Sequence, residues 1–190
     1  ITDALDVLLK TAQSQSLEIR NAANLLASEI YINLSQYENA NASLEKIDGQ
    51  NAAAAKIKEY LAARLALSEG EFIEAINRFQ SLITAPNNLT EQILHACILG
   101  KVDAQTSNKQ KDEAIATLED YIDEYPDSAV LESAFSRLSV LLPNDMADDS
   151  PSLIKLRKWS GEVPLSEGAL YIGGDSVAAL LPYQPSPPLN

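Results

Sequence analysis

The amino-acid sequence predicts an all-α fold: a superhelical solenoid of antiparallel helix pairs with an irregular C-terminal tail. Apolar residues recur at helical spacing from Asp3 to about Leu142, without sustained alternation of β-branched residues. A short phrase also recurs, in which a small residue precedes large apolar residues by four and seven positions. The phrases start at Ala40, Ala75 and Ala114, which are 35 and then 39 residues apart. A unit of this size cannot bury its apolar face alone, so neighbouring units must stack.

Each phrase places its three members on one stripe of a helix. The small residue marks the point where the paired helix crosses closest, and the next member fills the adjoining gap. The members are Ala40, Leu44 and Ile47, then Ala75, Phe79 and Leu82, and finally Ala114, Leu118 and Tyr121.

The predicted helices follow one another with short breaks. They are expected at residues 3–13, 17–34, 37–48, 51–68, 72–84, 90–106, 111–124 and 128–142, with a short helix from Ser150-Pro151 to about Trp159. Thr90 and Ser128 are expected to cap the helices that they precede. The breaks coincide with Gly49, Gly70, Pro86-Asn-Asn88 and Tyr125-Pro126.

The extent of the recurring phrases and the composition of the C-terminal end predict the domain organisation. We expect residues 1–159 to form the repeat array, with units near 20–48, 55–86 and 90–126 and partial units at both ends. The third unit is expected to absorb its extra residues in a longer inter-helix loop, Thr106–Lys111. Residues 160–190 are rich in proline and glycine, so they predict a tail with at most two short helices, near 166–172 and 176–181, and an extended end.

The first residues resemble the second half of a repeat. Ala4 and Leu8 repeat the small-then-large offset, and Asp3 to Gln13 is predicted to be a helix. We therefore expect the sequence to begin in the middle of a unit and to be part of a longer array.

Charge and composition exclude several classes of function. The 14 basic and 27 acidic residues give a formal net charge of −13, which disfavours nucleic acid and anionic membrane surfaces as partners. No stretch reaches the ~18 consecutive apolar residues that span a bilayer. Cys97 is the only cysteine, so no internal disulfide can form.

No residue pattern predicts catalysis, a cofactor or a metal site, so we do not expect an enzyme. His95 is the only histidine, and on a helix it would point away from Cys97, two residues later. The acidic cluster of Asp145, Asp148 and Asp149 lacks the ligand spacing of a calcium loop. Gly173-Gly174 lacks the spacing of a phosphate loop and predicts a turn.

The phrases resemble the tetratricopeptide repeat family, whose unit is a helix pair of ~34 residues. Ala75 matches the small position of the family's second helix, Phe79 its large apolar position and Gly70 its turn glycine. Pro126 matches the terminal proline, and the resemblance covers roughly residues 20–142. The first-helix signature is poorly kept, with Ala62-Ala63 in one unit and Leu99-Gly100 in another.

The resemblance implies a protein or peptide partner, bound in a concave groove lined by the first helix of each pair. The groove positions would be Glu29, Asn33, Tyr60, Arg64, Lys101 and Gln105. Chaperone-binding members clamp a C-terminal carboxylate with Lys and Asn, but the matching positions here hold Leu25 and Glu29. The segments 125–128 and 132–138 are also similar to bacterial cell-envelope members, which favours the periplasm or envelope, with the cytoplasm as the alternative.

The favoured function is a non-catalytic scaffold that binds a peptide or partner helix. Two alternatives stay open. One is a structural segment that associates with other copies of itself. The other is a helical accessory region of a larger enzyme or glycan-binding protein, against which the low aromatic content of 6% argues, since sugars stack on aromatic rings.

Overall fold

The computed structural model of this chain describes residues 2–147 and 149–161. All regular structure in this part is helical, so the predicted all-α helical repeat fold is confirmed. The expected tail from residue 162 onward, with its two short helices, lies outside the described residues, and so does the side chain of Ala4. The nine helices of the described part are α1 (Thr2–Thr11), α2 (Leu17–Asn33), α3 (Tyr37–Glu45), α4 (Ala52–Glu69), α5 (Phe72–Thr84), α6 (Glu91–Ser107), α7 (Lys111–Glu124), α8 (Leu131–Leu141) and α9 (Pro151–Trp159).

The chain divides into two compact units. Among the described residues, the first unit holds residues 2–110 with α1 to α6, and the second holds residues 111–147 and 149–161 with α7 to α9. In the first unit each helix packs against the next one along the chain, and α4 also contacts α2 and α6. In the second unit α7 packs against α8. The expected boundary after residue 159 stays a prediction.

The recurring phrase forms the core, as its stripe-like spacing indicates. The small residues Ala40, Ala75 and Ala114 are completely buried, and so are Phe79 and Leu118. The other members of the three phrases are at most 3% exposed. Burying a large aliphatic or aromatic side chain stabilises a fold by about 1.5–3 kcal/mol. The large members of each phrase therefore contribute to stability on this scale.

Helix α3 ends at Glu45, although the sequence pattern predicts helix to residue 48. The reason is a buried side chain from another helix. Asn21 of α2 donates from Nδ2 to the carbonyl oxygen of Asp48 at 3.1 Å and accepts from the Asp48 amide at 3.0 Å. Both backbone groups of Asp48 are thereby bonded outside the helical pattern, so the chain leaves α3 and turns into α4.

The four extra residues of the second, 39-residue period lie in a helix, not in the loop that the sequence predicts. Helix α6 continues to Ser107, and only residues 108–110 connect it to α7, so the expectation of a long loop at Thr106–Lys111 is wrong. Helix α5 has 13 residues, whereas its counterpart α3 has nine. Four residues add about one helical turn. The repeat period is therefore longer by about one turn of α5.

Helix α8 begins at Leu131, three residues after its expected start. Ser128 was the expected cap, but its Oγ lies 2.6 Å from the Tyr121 hydroxyl and accepts from the Val130 amide at 3.3 Å. The serine therefore fixes the turn before α8 instead of capping it. The other expected cap is confirmed, since Thr90 Oγ1 accepts from the Ile93 amide at the start of α6.

Gly100 allows α5 and α6 to approach closely. A Cβ atom at this position would lie 2.6 Å from Cζ and 2.9 Å from Cε2 of Phe79, far inside normal contact distance. The Phe79 ring is completely buried and fills the space above the glycine. This contact gives Gly100 a direct packing role.

Helix α9 is held against α7 by charge and by its aromatic end. Lys155 Nζ lies 3.1 Å from Glu119 Oε2, and Lys158 Nζ lies 2.9 Å from Asp123 Oδ1. Trp159 donates from Nε1 to the same Asp123 oxygen at 2.9 Å, and its ring meets Phe135 of α8 edge-on at 5.8 Å between centroids. The basic residues of α9 thus neutralise part of the acidic face of α7.

Acid is expected to loosen the contact between α9 and α7. The hydrogen bonds from Trp159 and Lys158 lower the pKa of Asp123 from 3.8 to about 2. Because the folded-state pKa is the lower one, ionised Asp123 stabilises the contact above about pH 4, and this contribution is lost as the pH falls through about 2. Trp159 is the only tryptophan, so its fluorescence reports the change directly.

Asp123→Ala tests whether the acid effect arises from this carboxylate. The variant should shift Trp159 emission to longer wavelength at pH 7 and remove the change in emission between pH 4 and pH 2. Asp127→Ala, at an exposed position in the turn after α7, is the control and should keep the parent profile. An unchanged emission profile in Asp123→Ala would show that α9 does not depend on this carboxylate.

Candidate functional site

An open cleft of about 570 Å³ lies in the first unit, between the first helices of successive pairs. Its lining is mostly aliphatic. Helix α2 contributes Ala22, Leu25, Leu26 and Glu29, α4 contributes Ile57, Tyr60 and Leu61, and α6 contributes Gln92, Ile93 and Ala96.

The repeat period explains why these residues meet. Arg64 contacts Glu29, its counterpart 35 positions earlier, so residues one period apart lie at the same level along α2 and α4. The same offset relates Ala22 to Ile57 and Leu25 to Tyr60, and an offset of 36 leads on to Ile93 and Ala96 of α6. The cleft therefore consists of successive levels along these helices. The levels of Ala22 with Ile57 and of Leu25 with Tyr60 are mainly apolar, and the level of Glu29 with Arg64 is polar.

The polar level is organised by Arg64. Its Nη1 donates to Glu29 Oε1 and its Nη2 donates to Asn33 Oδ1, each at 2.9 Å. The guanidinium also lies 5.8 Å from the ring centroid of Tyr60, a distance that allows cation–π attraction. A single cation thus binds three of the predicted site residues and is neutralised by one of them.

Tyr60 joins the cleft to the core beneath it. Its ring lies 6.4 Å from that of Phe79 in a tilted arrangement. Burial raises the pKa of the Tyr60 hydroxyl, although Arg64 acts in the opposite direction. The hydroxyl therefore stays protonated at neutral pH and offers a hydrogen-bond donor at the edge of the cleft.

The structure brings together four of the six predicted site residues: Glu29, Asn33, Tyr60 and Arg64. Lys101 and Gln105 lie farther along α6 than the described cleft lining, and Gln105 is only 5% exposed. Their role in binding stays a prediction. The sequence prediction missed the aliphatic lining, although the period of 35 and 36 residues would have led from Tyr60 to Leu25 and Ala96.

The lone histidine and cysteine lie in the core of α6. His95 is 5% exposed, with Nε2 3.8 Å from Glu91 Oε1, and Cys97 is completely buried. Burial raises the pKa of the Cys97 thiol to about 12, so it is protonated and unreactive at neutral pH. Within residues 2–147 and 149–161 no three His, Cys, Asp or Glu side chains are grouped so that they could hold a metal ion.

Stacked helix pairs with a cleft along their first helices define a helical-repeat protein. Residues 98–128 match the family model described as Tetratricopeptide repeat, so the predicted family is confirmed in this segment. Elsewhere the repeat is supported by the buried phrases and helix pairs described above. No curated protein and no solved structure shows a significant match to the chain.

A tetratricopeptide repeat is a module for protein–protein interaction and serves in general as a scaffold rather than an enzyme. Among the described helices, none combines the length and the hydropathy that a bilayer-spanning segment requires.

Proposed function

We propose that this chain is a non-catalytic scaffold that binds another protein through the cleft between α2, α4 and α6. The observation that carries the proposal is the aliphatic lining of an open cleft. Leu26 is 51% exposed at its rim, beside Leu25 and Ile57. Grouped apolar side chains that remain exposed mark surfaces for binding, because each would gain free energy on burial.

The polar level of the cleft narrows the kind of contact. Arg64 already donates to Glu29 and Asn33, so its charge is compensated within the protein. A carboxylate clamp needs uncompensated donors, and the positions that would supply them hold Leu25 and Glu29. The proposed contact is therefore dominated by apolar burial, with the polar level fixing orientation.

Photo-crosslinking from Leu26 tests the proposed surface. A photoreactive amino acid at position 26 of the chain, expressed in its native host, should form a discrete adduct with one protein. The matched control is Ile73 of α5, which is 67% exposed but contributes nothing to the cleft lining. Adding Leu26→Asp to a chain that carries the photoreactive residue at Ala22 should reduce the yield of that adduct at least about tenfold, about 1.4 kcal/mol of binding.

Equal adducts from positions 26 and 73 would contradict the proposed surface. An adduct that persists after Leu26→Asp would contradict it as well. The joint replacement of Tyr60 and Arg64 by alanine is a second test, since both residues lie at the polar level. Unchanged capture of the same protein by this variant would remove these two residues from the proposed site.

Self-association and cellular location stay predictions. Sedimentation at high concentration tests the first, and a strict monomer would argue against a segment that stacks on its own copies. The bacterial periplasm or envelope, with the cytoplasm as alternative, remains an expectation based on the sequence from Tyr125 to Leu138.

A further inference from the structure

We propose that the cleft accepts an amphipathic α-helix with an aliphatic stripe and a basic flank, and not an extended peptide. This inference rests on the proposed function and names the class of partner for the same surface. Three observations support it: the scarcity of polar groups in the cleft, its dimensions and its residual charge.

The chemistry of the lining favours a partner that satisfies its own backbone. Only Glu29, Tyr60 and Gln92 offer polar side-chain atoms among the lining residues. An extended peptide would press backbone N–H and C=O groups against aliphatic side chains, and each group left without a hydrogen-bond partner would weaken binding. A helix bonds these groups internally and presents only side chains.

The dimensions agree with a helix that crosses the three lining helices. The cleft lining of α2 extends from Ala22 to Glu29, seven residue steps or about 10 Å at 1.5 Å per residue. An α-helix with its side chains is about 10–12 Å wide. Two interaxial spacings of about 8–10 Å separate α2 from α6, so a crossing helix needs three to four turns.

The remaining charge indicates the flank of the partner. The Glu29 side chain is 46% exposed, whereas that of Arg64 is 26% exposed, so the carboxylate is the more accessible member of the pair. Residues 1–110, which contain the cleft, hold 13 acidic and nine basic residues, a formal net charge of −4. Lysine or arginine along the edge of the partner that faces Glu29 would therefore meet the more exposed member of a compensated pair, and the excess of acidic residues in this unit would add a weaker attraction at long range.

Two synthetic probes distinguish a helix from an extended peptide. The helical probe is about 14 residues long, four turns, with leucines at i, i+3, i+4 and i+7 spacing, lysines on one flank and a lactam bridge on the polar face. The extended probe has two central residues replaced by proline, which prevents the helix. Binding of each to the full 190-residue chain is measured by calorimetry.

The helical probe should bind at least about tenfold more tightly than the proline probe. Leu26→Asp should weaken its binding at least about tenfold, while Ile73→Asp on α5 should leave it unchanged. Replacing the flank lysines of the probe by glutamate should weaken binding, and Glu29→Gln should reduce the difference between the two flanks. Circular dichroism of each variant confirms that the chain remains helical.

The outcomes separate this inference from the proposed function. Tighter binding of the proline probe, lost in Leu26→Asp, would overturn the helix while leaving the cleft as the binding surface. If both probes bound with the same affinity to the parent chain and to Leu26→Asp, both proposals would be overturned. If neither probe bound, the helical partner would be rejected, and photo-crosslinking from Leu26 would still decide the proposed function separately.

Discussion

Phe79→Ala is expected to lower the free energy of unfolding by about 3–5 kcal/mol, the usual range for a completely buried phenylalanine. The ring lies between α5 and α6 and also meets Tyr60, so truncation leaves a void that two helices share. Urea denaturation followed by circular dichroism measures the loss. Phe72→Ala on the same helix is the control and should cost less, because Phe72 is only half-buried.

The glycine beneath the ring provides a sharper version of this test. Gly100→Ala should lower the free energy of unfolding by about 1–3 kcal/mol, because the added methyl group overpacks against Phe79. The higher helix propensity of alanine should offset up to about 1 kcal/mol of this loss. In a Phe79→Leu background the added methyl group has more room, so its cost should fall or change sign. Additive effects in this double-mutant cycle would show that the ring and the glycine are not coupled.

Asn21→Leu is expected to lower the free energy of unfolding by about 2–4 kcal/mol. The substitution removes both bonds to Asp48 and leaves an amide and a carbonyl without partners, at about 1–3 kcal/mol each. Denaturation measures the total, and Asn41→Leu, at an exposed asparagine of α3, should change stability by no more than about 0.5 kcal/mol.

Hydrogen exchange locates the effect of Asn21 within the chain. In the parent the Asp48 amide should be protected, and Asn21→Leu should expose it while the amides of α5 stay protected. Asn21→Asp keeps an acceptor for the Asp48 amide but loses the donor to its carbonyl, so an intermediate cost is expected. Retained protection of the Asp48 amide in Asn21→Leu would contradict the role assigned to this side chain.

The helices and the core could be predicted because they depend on local spacing. The offsets of four and seven residues identified Leu44, Phe79 and Leu118 before any coordinates, since helical geometry places such residues on one face. The ends of α3 and α8 could not be predicted in this way. The end of α3 depends on Asn21, which lies 27 residues before Asp48, so no window of neighbouring residues contains this contact. The start of α8 depends on a hydrogen bond between the side chains of Ser128 and Tyr121, seven residues earlier, which the spacing of apolar residues does not report.

The polar part of the site was predictable to the extent that the repeat register was correct. Glu29 and Arg64 meet because they are one period apart. On α6 the cleft lining consists of Gln92, Ile93 and Ala96, which precede Lys101 in the helix, and a role of Lys101 in binding stays a prediction. Aliphatic lining also resembles core in sequence, so only the geometry separates the exposed Leu26 from a buried leucine such as Leu61.

The additional turn of α5 indicates where foreign sequence can be inserted into this chain. The added turn comprises residues 81–84 and contains Leu82, the last member of its phrase, and the side chains of residues 84–88 are open to solvent. Exposed connections of this kind accept insertions best, because no buried backbone has to move. A fluorophore or an epitope placed between Asn87 and Asn88 would label the protein while leaving the paired helices and the cleft in place.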